Sequence, residues 1–335
     1  MPIKNGKFSL AENCYTEMQY NRCGDSGLKL PAVSFGLWHN FGDYNTTENM
    51  QELVFTAFDK GITHFDLANN YGPPPGRAEE NFGKILREHL YSYRNQMVIS
   101  TKAGYTMWNG PYGDGGSRKY LISSLDESLK RLGLDYVDIF YHHRPDGETP
   151  LFETMWALND IVKSGKALYV GLSNYNGEKM AEACDILNEL KCPFIINQNR
   201  YSIFDRSIEQ NGLLESAIEN KKGVIVFSPL AQGLLTDRYI NGVPADSRIA
   251  VYDKFLKKES LTKERIDQIN KLNDLAISRG QTLAQMALSW VYSKKGITSV
   301  LVGASKPSQI IDNINMLKNT SFSQEELALI NEITK

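Results

Sequence analysis

Four residues near the ends of three apolar runs could do chemistry together: Asp66, Tyr71, Lys102 and His143. The runs read Gly-Ile-Thr-His-Phe-Asp66-Leu-Ala-Asn-Asn-Tyr71-Gly, Met-Val-Ile-Ser-Thr-Lys102 and Tyr-Val-Asp-Ile-Phe-Tyr-His-His143. An acid, a phenol, an amine and an imidazole brought to one place can protonate a carbonyl oxygen as negative charge develops on it. A phenol suits that task if its pKa falls from about 10 toward working pH. A nearby cation stabilises phenolate and supplies such a shift. Lys102 is the candidate cation, held by Asp66, and His143 is the candidate imidazole that orients the carbonyl. Singly, each residue has a plainer reading: a loop cap for Asp66, a turn aromatic for Tyr71, a solvated amine for Lys102, a core imidazole for His143. Their joint occurrence carries the functional reading.

The elements that must position them alternate along the chain. Apolar runs predict strands over 33–36, 62–66, 97–101, 137–141, 167–171, 194–197, 223–227 and 299–302. Helical spacing predicts helices over 47–60, 78–89, 118–132, 151–164, 177–190, 208–220, 262–279, 281–293 and 307–318, and an extra C-terminal helix over 323–334. Gly61, Gly133 and Gly165 stand where helices end. Residues 1–32 form a leader with a hairpin turning at Cys23-Gly24-Asp25-Ser26-Gly27, and 231–260 reads as a long loop.

Eight strands alternating with helices imply a parallel sheet closed into a (β/α)8 TIM barrel, whose strand C-termini share one mouth. No composition break divides the pattern, so residues 1–335 read as one domain. The alternative, an open doubly wound sheet, would want a Gly-x-Gly-x-x-Gly turn after the first strand, and Gly36-Leu37-Trp38 is not one.

The 335 residues are 41% hydrophobic and carry a formal net charge of −2, which leaves no basic footprint for nucleic acid or an anionic membrane. No run of about 18 apolar residues is present to span a bilayer. The N-terminus lacks the apolar core of a signal peptide. Four cysteines without Cys-x-x-Cys spacing read as free thiols, and a cytoplasmic location is expected.

The run Asp66-x4-Tyr71-Gly, the pair Thr101-Lys102, and His143 five positions after Asp138 resemble the aldo-keto reductases. Gly171-Leu-Ser-Asn-Tyr175, Asn197-Gln198, Phe227-Ser-Pro-Leu230 and Gly303-Ala-Ser-Lys-Pro-Ser-Gln309 follow in family order. Tyr-Gly-Pro-Pro-Pro-Gly-Arg-Ala-Glu-Glu-Asn-Phe-Gly, Tyr-His-His-Arg and Ser-Pro-Leu-Ala-Gln-Gly look like the branch of bacterial L-glyceraldehyde 3-phosphate reductases, related to potassium-channel β subunits.

The resemblance implies Tyr71 as general acid, Lys102 and Asp66 as its tuning pair, and His143 as the orienting group. It chooses His143 over His142, because adjacent strand residues face opposite sides. The implied cofactor is NADPH. Ser173, Asn174 and Gln198 match positions that bind the nicotinamide carboxamide, and Phe227 the aromatic that stacks on the ring. Gly36, Trp38, Ser228, Pro229, Leu230, Gln232 and Gly233 fall on the cofactor side. Gly303, Ser305, Lys306, Gln309 and Asn313 surround the expected 2′-phosphate and adenosine site, at a helix N-terminus suited to an anion. Arg248 matches a cofactor-phosphate arginine. Gly303 and Gln309 stand where many relatives carry a basic residue.

Trp38 and Trp108 are expected to wall the substrate pocket, and Arg144 to attract a phosphorylated aldehyde. The expected substrate is a small aldehyde of the glyceraldehyde phosphate or methylglyoxal kind. By resemblance the assembly is a homo-oligomer, a tetramer or an octamer. Two other classes compete: an NADP-binding module that signals redox state to a protein partner, and a metal-dependent hydrolase barrel. Five histidines, two of them adjacent, weigh against the second.

Overall fold

A computed structural model of the chain describes residues 3–4, 7–240 and 261–335. Eight parallel strands form a closed barrel: β5 (Val33–Gly36), β6 (His64–Asp66), β7 (Val98–Ala103), β8 (Val137–His142), β9 (Ala167–Ser173), β10 (Phe194–Arg200), β11 (Gly223–Phe227) and β12 (Ile297–Val302). Neighbours in sequence pair in space, and β12 returns to β5 through Val300 opposite Val33. In β7 and β8 every residue is buried. A parallel strand covered on one face by helices and on the other by the barrel interior has no solvent side, which is why these runs are apolar without alternation.

Around the barrel lie α1 (Thr47–Asp59), α2 (Arg77–Ile85), α3 (Arg118–Leu132), α4 (Leu151–Lys163), α5 (Gly177–Glu189), α6 (Ser207–Gln210), α7 (Leu213–Glu219), α8 (Lys263–Ser278), α9 (Leu283–Tyr292) and α10 (Pro307–Ile314). The last helix, α11 (Gln324–Ile333), packs against α8. Local chemistry sets the ends. Ser117 accepts from the Tyr120 N–H to start α3, and Gly133 at φ +68° stops it.

Two short antiparallel pairs precede the barrel: β1 (Ile3–Lys4) with β2 (Lys7–Phe8), and β3 (Tyr20–Arg22) with β4 (Lys29–Pro31). The second is the expected hairpin. It places Cys23 and Leu30, both fully buried, in one cluster with Val98, Ile139, Ile196 and Ile225. The hairpin therefore covers the end of the barrel where strands begin, away from the strand ends that carry Asp66 and Lys102.

The structure departs from the predicted elements in four places. The helix expected over 208–220 is two, because Gly212 at φ +76° breaks it between α6 and α7. The helix expected over 78–89 passes from α2 into a π turn at Leu86–Leu90 and a 3-10 turn at Tyr91–Gln96. That expected over 307–318 ends in a 3-10 turn at Asn315–Lys318. The start of the long loop is ordered into short 3-10 turns at Ala231–Gly233 and Asp237–Tyr239, while 241–260 lies outside the described residues. Among the described residues, no helix is long and apolar enough to cross a membrane.

Inside the barrel, close packing fixes side-chain size. A methyl group on Gly171 would collide with the Tyr141 ring from the neighbouring strand. Gly171→Ala is expected to cost about 1–3 kcal/mol of stability by overpacking, measured by urea denaturation. An unchanged midpoint would contradict this packing.

Candidate active site

The barrel register brings the polar groups together. Gly36 lies opposite Asp66, Asp66 opposite Ser100, Lys102 opposite Tyr141, and Gln198 opposite Ser173. Asp66 ends β6, and Lys102 points inward one turn of the pleat above Ser100, with no exposed surface on either ionic side chain. The Lys102 ammonium donates to the Asp66 carboxylate, to the Leu67 carbonyl at 2.6 Å and to the Tyr71 hydroxyl at 3.4 Å. An ammonium has three N–H groups, and each has a partner.

Tyr71 stands on the loop after β6, its N–H bound to the Ala68 carbonyl at 3.0 Å. Its ring lies 6.0 Å from that of Trp38 and 5.9 Å from that of His143. His143 follows β8 and is pinned by its N–H to the Ala103 carbonyl at 2.8 Å. Among the described residues, its buried Nδ1 has no hydrogen-bond partner. His142 faces the other way and meets the Tyr175 hydroxyl through Nδ1 at 2.7 Å.

Burial dominates the electrostatics. It pushes the Lys102 ammonium below its ordinary range, while Asp66 pulls it back by charge and hydrogen bonding. Burial also raises Tyr71 well above the ordinary phenol range, with Asp66 and Tyr105 adding to the rise. This corrects the expectation that a lysine neighbour brings the phenol down. With burial, Asp66 and Tyr105 all favouring the neutral phenol, Tyr71 is stored protonated. Burial holds His143 well below its usual pKa, with the positive charges of Lys102 and Arg144 among the further causes. The site therefore keeps a neutral phenol and a neutral imidazole beside a paired ammonium.

The expected cofactor residues line the adjoining strand ends. Gln198 donates to Asp66 Oδ1 at 3.2 Å. Asn174, at φ +61°, donates to the His143 carbonyl at 2.9 Å and to Ser173 Oγ at 3.2 Å. Ser228, Ala231 and Gln232 also hold positive φ, and Gln232 donates to Ser228 Oγ at 3.3 Å. Backbone held in that region by non-glycine residues concentrates at ligand sites. Phe227 is half-buried at the end of β11, with Pro229 buried, and Leu230 and Gly233 half-buried, just beyond.

At the α10 N-terminus, Gln309 turns back on its own loop, and its Oε1 accepts from the Ser305 N–H, the Ser305 hydroxyl and the Lys306 N–H. It is thus engaged in capping rather than extended toward a ligand. Asn313 is buried on that helix, while Gly303 and Lys306 are exposed. Arg248 lies outside the described residues.

Of the expected substrate residues, Trp38 reaches Tyr71, whereas Trp108 is half exposed and packs edge-on against Tyr120. Arg144 already has a partner: it binds Asp114 Oδ1 at 2.7 Å and lies over the Tyr105 ring. The sequence reading missed Tyr105 and Asp114. Tyr105 packs edge-on to His143, 4.6 Å between centroids. It follows Lys102 by three positions, on the same loop as Trp108, and the rule that placed Trp108 at the mouth applies to it equally. Asp114 carried no signal, because its role depends on how that loop folds back. Among the described residues, no cluster of His, Cys, Asp and Glu could hold a metal ion.

A model of the aldo/keto reductase family matches residues 32–335. The chain is 54% identical over 321 residues to an L-glyceraldehyde 3-phosphate reductase of Escherichia coli O157:H7, covering 95% of this chain and 93% of the relative. It is 37% identical over 305 residues to a probable voltage-gated potassium channel subunit beta of Oryza sativa subsp. japonica, covering 90% and 91%. A similar protein of Arabidopsis thaliana is 37% identical over 302 residues, covering 89% and 90%.

The buried imidazoles make stability depend on pH. Burial pushes His64 and His142 down to about 4, so the folded chain stays unprotonated there while the unfolded chain binds protons below the ordinary histidine value. Their contribution to stability is present above about pH 6.5 and is lost as pH falls through about 4. Thermal melting should show the melting temperature falling across that window. His142→Gln should reduce proton uptake on unfolding by about one; an unchanged pH slope in this variant would contradict the burial of a neutral His142.

Proposed function

The chain belongs to the aldo/keto reductase family, and on that premise we propose that it reduces small aldehydes with NADPH, Tyr71 serving as the general acid. The observation that carries this reading is the ammonium of Lys102, fixed between Asp66 and the Tyr71 hydroxyl in the barrel interior.

The residues present suit a nicotinamide dinucleotide. Ser173, Asn174 and Gln198 offer amide and hydroxyl groups at adjacent strand ends, and Phe227 offers a flat face beside them. Ser305 and Lys306 offer a hydroxyl and a point charge for a phosphate, provided Gln309 gives up the N–H groups it now caps. Bound there, the reduced cofactor would supply a hydride, one hydrogen with two electrons, to the carbonyl carbon.

The chain's own groups handle the oxygen. The His143 and Tyr71 rings meet edge to face, 5.9 Å between centroids, so a carbonyl oxygen can be held between the imidazole and the Tyr71 hydroxyl. Tyr71 starts protonated and gives its proton as charge develops on that oxygen. Lys102, at 3.4 Å, then faces the phenolate that remains. Burial disfavours the charge on Lys102, and Asp66 counters it by charge and hydrogen bonding.

The natural substrate we propose is a short phosphorylated aldehyde, as in the name of the E. coli relative. Arg144 is its anchor, and the phosphate exchanges places with Asp114. Cytoplasmic location and assembly into a tetramer or octamer belong to the same reading.

NADPH oxidation with short aldehydes tests the acid. Tyr71→Phe is expected to lower kcat by about a hundred- to ten-thousandfold with NADPH binding kept. Full turnover in the variant would sink the assignment, and no turnover in either protein despite tight NADPH binding would favour a redox-sensing role. Arg144→Ala tests the substrate: the ratio of KM for glyceraldehyde 3-phosphate to that for glyceraldehyde should rise about tenfold, as expected for loss of a charge-assisted contact. An unchanged ratio would remove the phosphate anchor.

A further inference from the structure

A buried chain of hydrogen bonds leads from the base of the barrel to Asp66. Ser299 Oγ lies 2.6 Å from the Pro31 carbonyl and 2.6 Å from Ser34 Oγ. Ser34 Oγ is 2.9 Å from His64 Nδ1, and His64 Nε2 is 2.9 Å from Ser100 Oγ. Ser100 Oγ donates to Asp66 Oδ1 at 2.6 Å. Ser34, His64, Asp66, Ser100 and Ser299 have no exposed surface.

We propose that His64 is a positioning residue for the acid at Tyr71: a proton on its Nε2 removes the competing acceptor and commits the Ser100 hydroxyl to Asp66. This rests on the reading of Tyr71 as proton donor.

The argument is a count of protons. Five links join two terminal acceptors, the Pro31 carbonyl and the Asp66 carboxylate. Three hydroxyls and a neutral imidazole carry one proton each, so one link must stay open. Burial keeps His64 neutral at pH 7.

With the proton on Nε2, His64 donates to Ser100, and Ser100 is free to donate only to Asp66. Ser34 then donates to Nδ1, and the open link falls near Ser299. With the proton on Nδ1, the Ser299 end is complete and Ser100 must choose between Nε2 and Asp66. If Ser100 keeps the stronger bond to the carboxylate, Nε2 is left a buried acceptor without a donor, so the Nε2–H tautomer, which satisfies both, wins. Ser299 also has a second carbonyl within reach, that of Ala32 at 3.5 Å, which lessens the loss at the far end.

The consequence reaches the acid through Asp66. Its Oδ1 takes Ser100 and Gln198, and Oδ2 takes Lys102. Without Ser100 the carboxylate concentrates its charge on Lys102 and draws the ammonium away from Tyr71. The charged groups facing His64 are Asp66 and Lys102; Ser34 on β5, Ser100 on β7 and Ser299 on β12 are neutral.

Two measurements decide it. Nitrogen-15 NMR of histidine-labelled protein at pH 7 should show His64 as the neutral Nε2–H tautomer; an Nδ1–H or doubly protonated ring would overturn the proposal. The second is a cycle of His64→Leu and Ser100→Ala, read by kcat and its alkaline limb. Each single change should lower kcat about tenfold and move the limb by about one unit, as loss of a hydrogen bond to a buried carboxylate does, with the aldehyde KM unchanged. The double variant should be no slower than Ser100→Ala alone. Additive losses, a wild-type limb in the single variants, or a loss carried by KM would overturn it. Should His64→Leu fail to fold, the spectrum and Ser100→Ala still decide. Full turnover in Tyr71→Phe would instead sink the acid assignment, a result on which the imidazole spectrum does not depend.

Discussion

The Lys102 ammonium is a charge held in the barrel interior with no exposed surface, and the surrounding structure answers that constraint. An isolated charge there would be too costly to keep. Asp66 supplies the opposite charge, the Leu67 carbonyl and Tyr71 hydroxyl take the remaining N–H groups, and Ser100 and Gln198 hold the second carboxylate oxygen. Removing one partner of a buried pair leaves an uncompensated charge, a loss of about 3–5 kcal/mol in measured cases. Stability alone does not require such a pair, since apolar residues of similar volume fill interiors as well. What the pair adds is an ammonium fixed beside a phenol.

The barrel supplies the rigidity this arrangement needs. Asp66 and Lys102 lie on paired strands whose register leaves neither freedom to shift. Opposite pleat directions separate the two adjacent histidines, sending His143 to the mouth and His142 against Tyr175. The hairpin seals the far end with Cys23 and Leu30. Tyr71 itself sits on a loop, but its ring is walled by Trp38 and His143, and its neighbour Lys102 is held by three hydrogen bonds.

Much of this was legible in the sequence. Parallel strands buried on both faces leave apolar runs, and the helix-ending glycines, such as Gly133 at φ +68°, mark boundaries because few other residues adopt that backbone. The grouping of Asp66, Tyr71, Lys102 and His143 was legible because they stand beside such runs. What escaped depends on long-range geometry. Asp114 meets Arg144 only through a folded-back loop, and Gln309 caps its own helix start instead of reaching outward. The direction of the Tyr71 shift also escaped. Proximity to a lysine is readable from motif order, but the burial that outweighs it is not. His64 carries no local signal, since a histidine inside an apolar strand is ordinary until its hydroxyl neighbours on β5 and β7 are known.

The most direct test of the central claim is the hydride-transfer rate of Lys102→Met in a single turnover, measured beside wild type at matched NADPH occupancy. Met keeps the length and apolar stem but removes the charge facing Tyr71. The account predicts a fall of about a hundredfold or more, as for loss of preorganised charge at a reacting oxygen, with NADPH affinity kept and the fold retained at reduced stability, since Asp66 loses its partner. Transfer at the wild-type rate in a folded Lys102→Met protein would contradict it, because the buried ammonium would then serve the barrel and not the reaction.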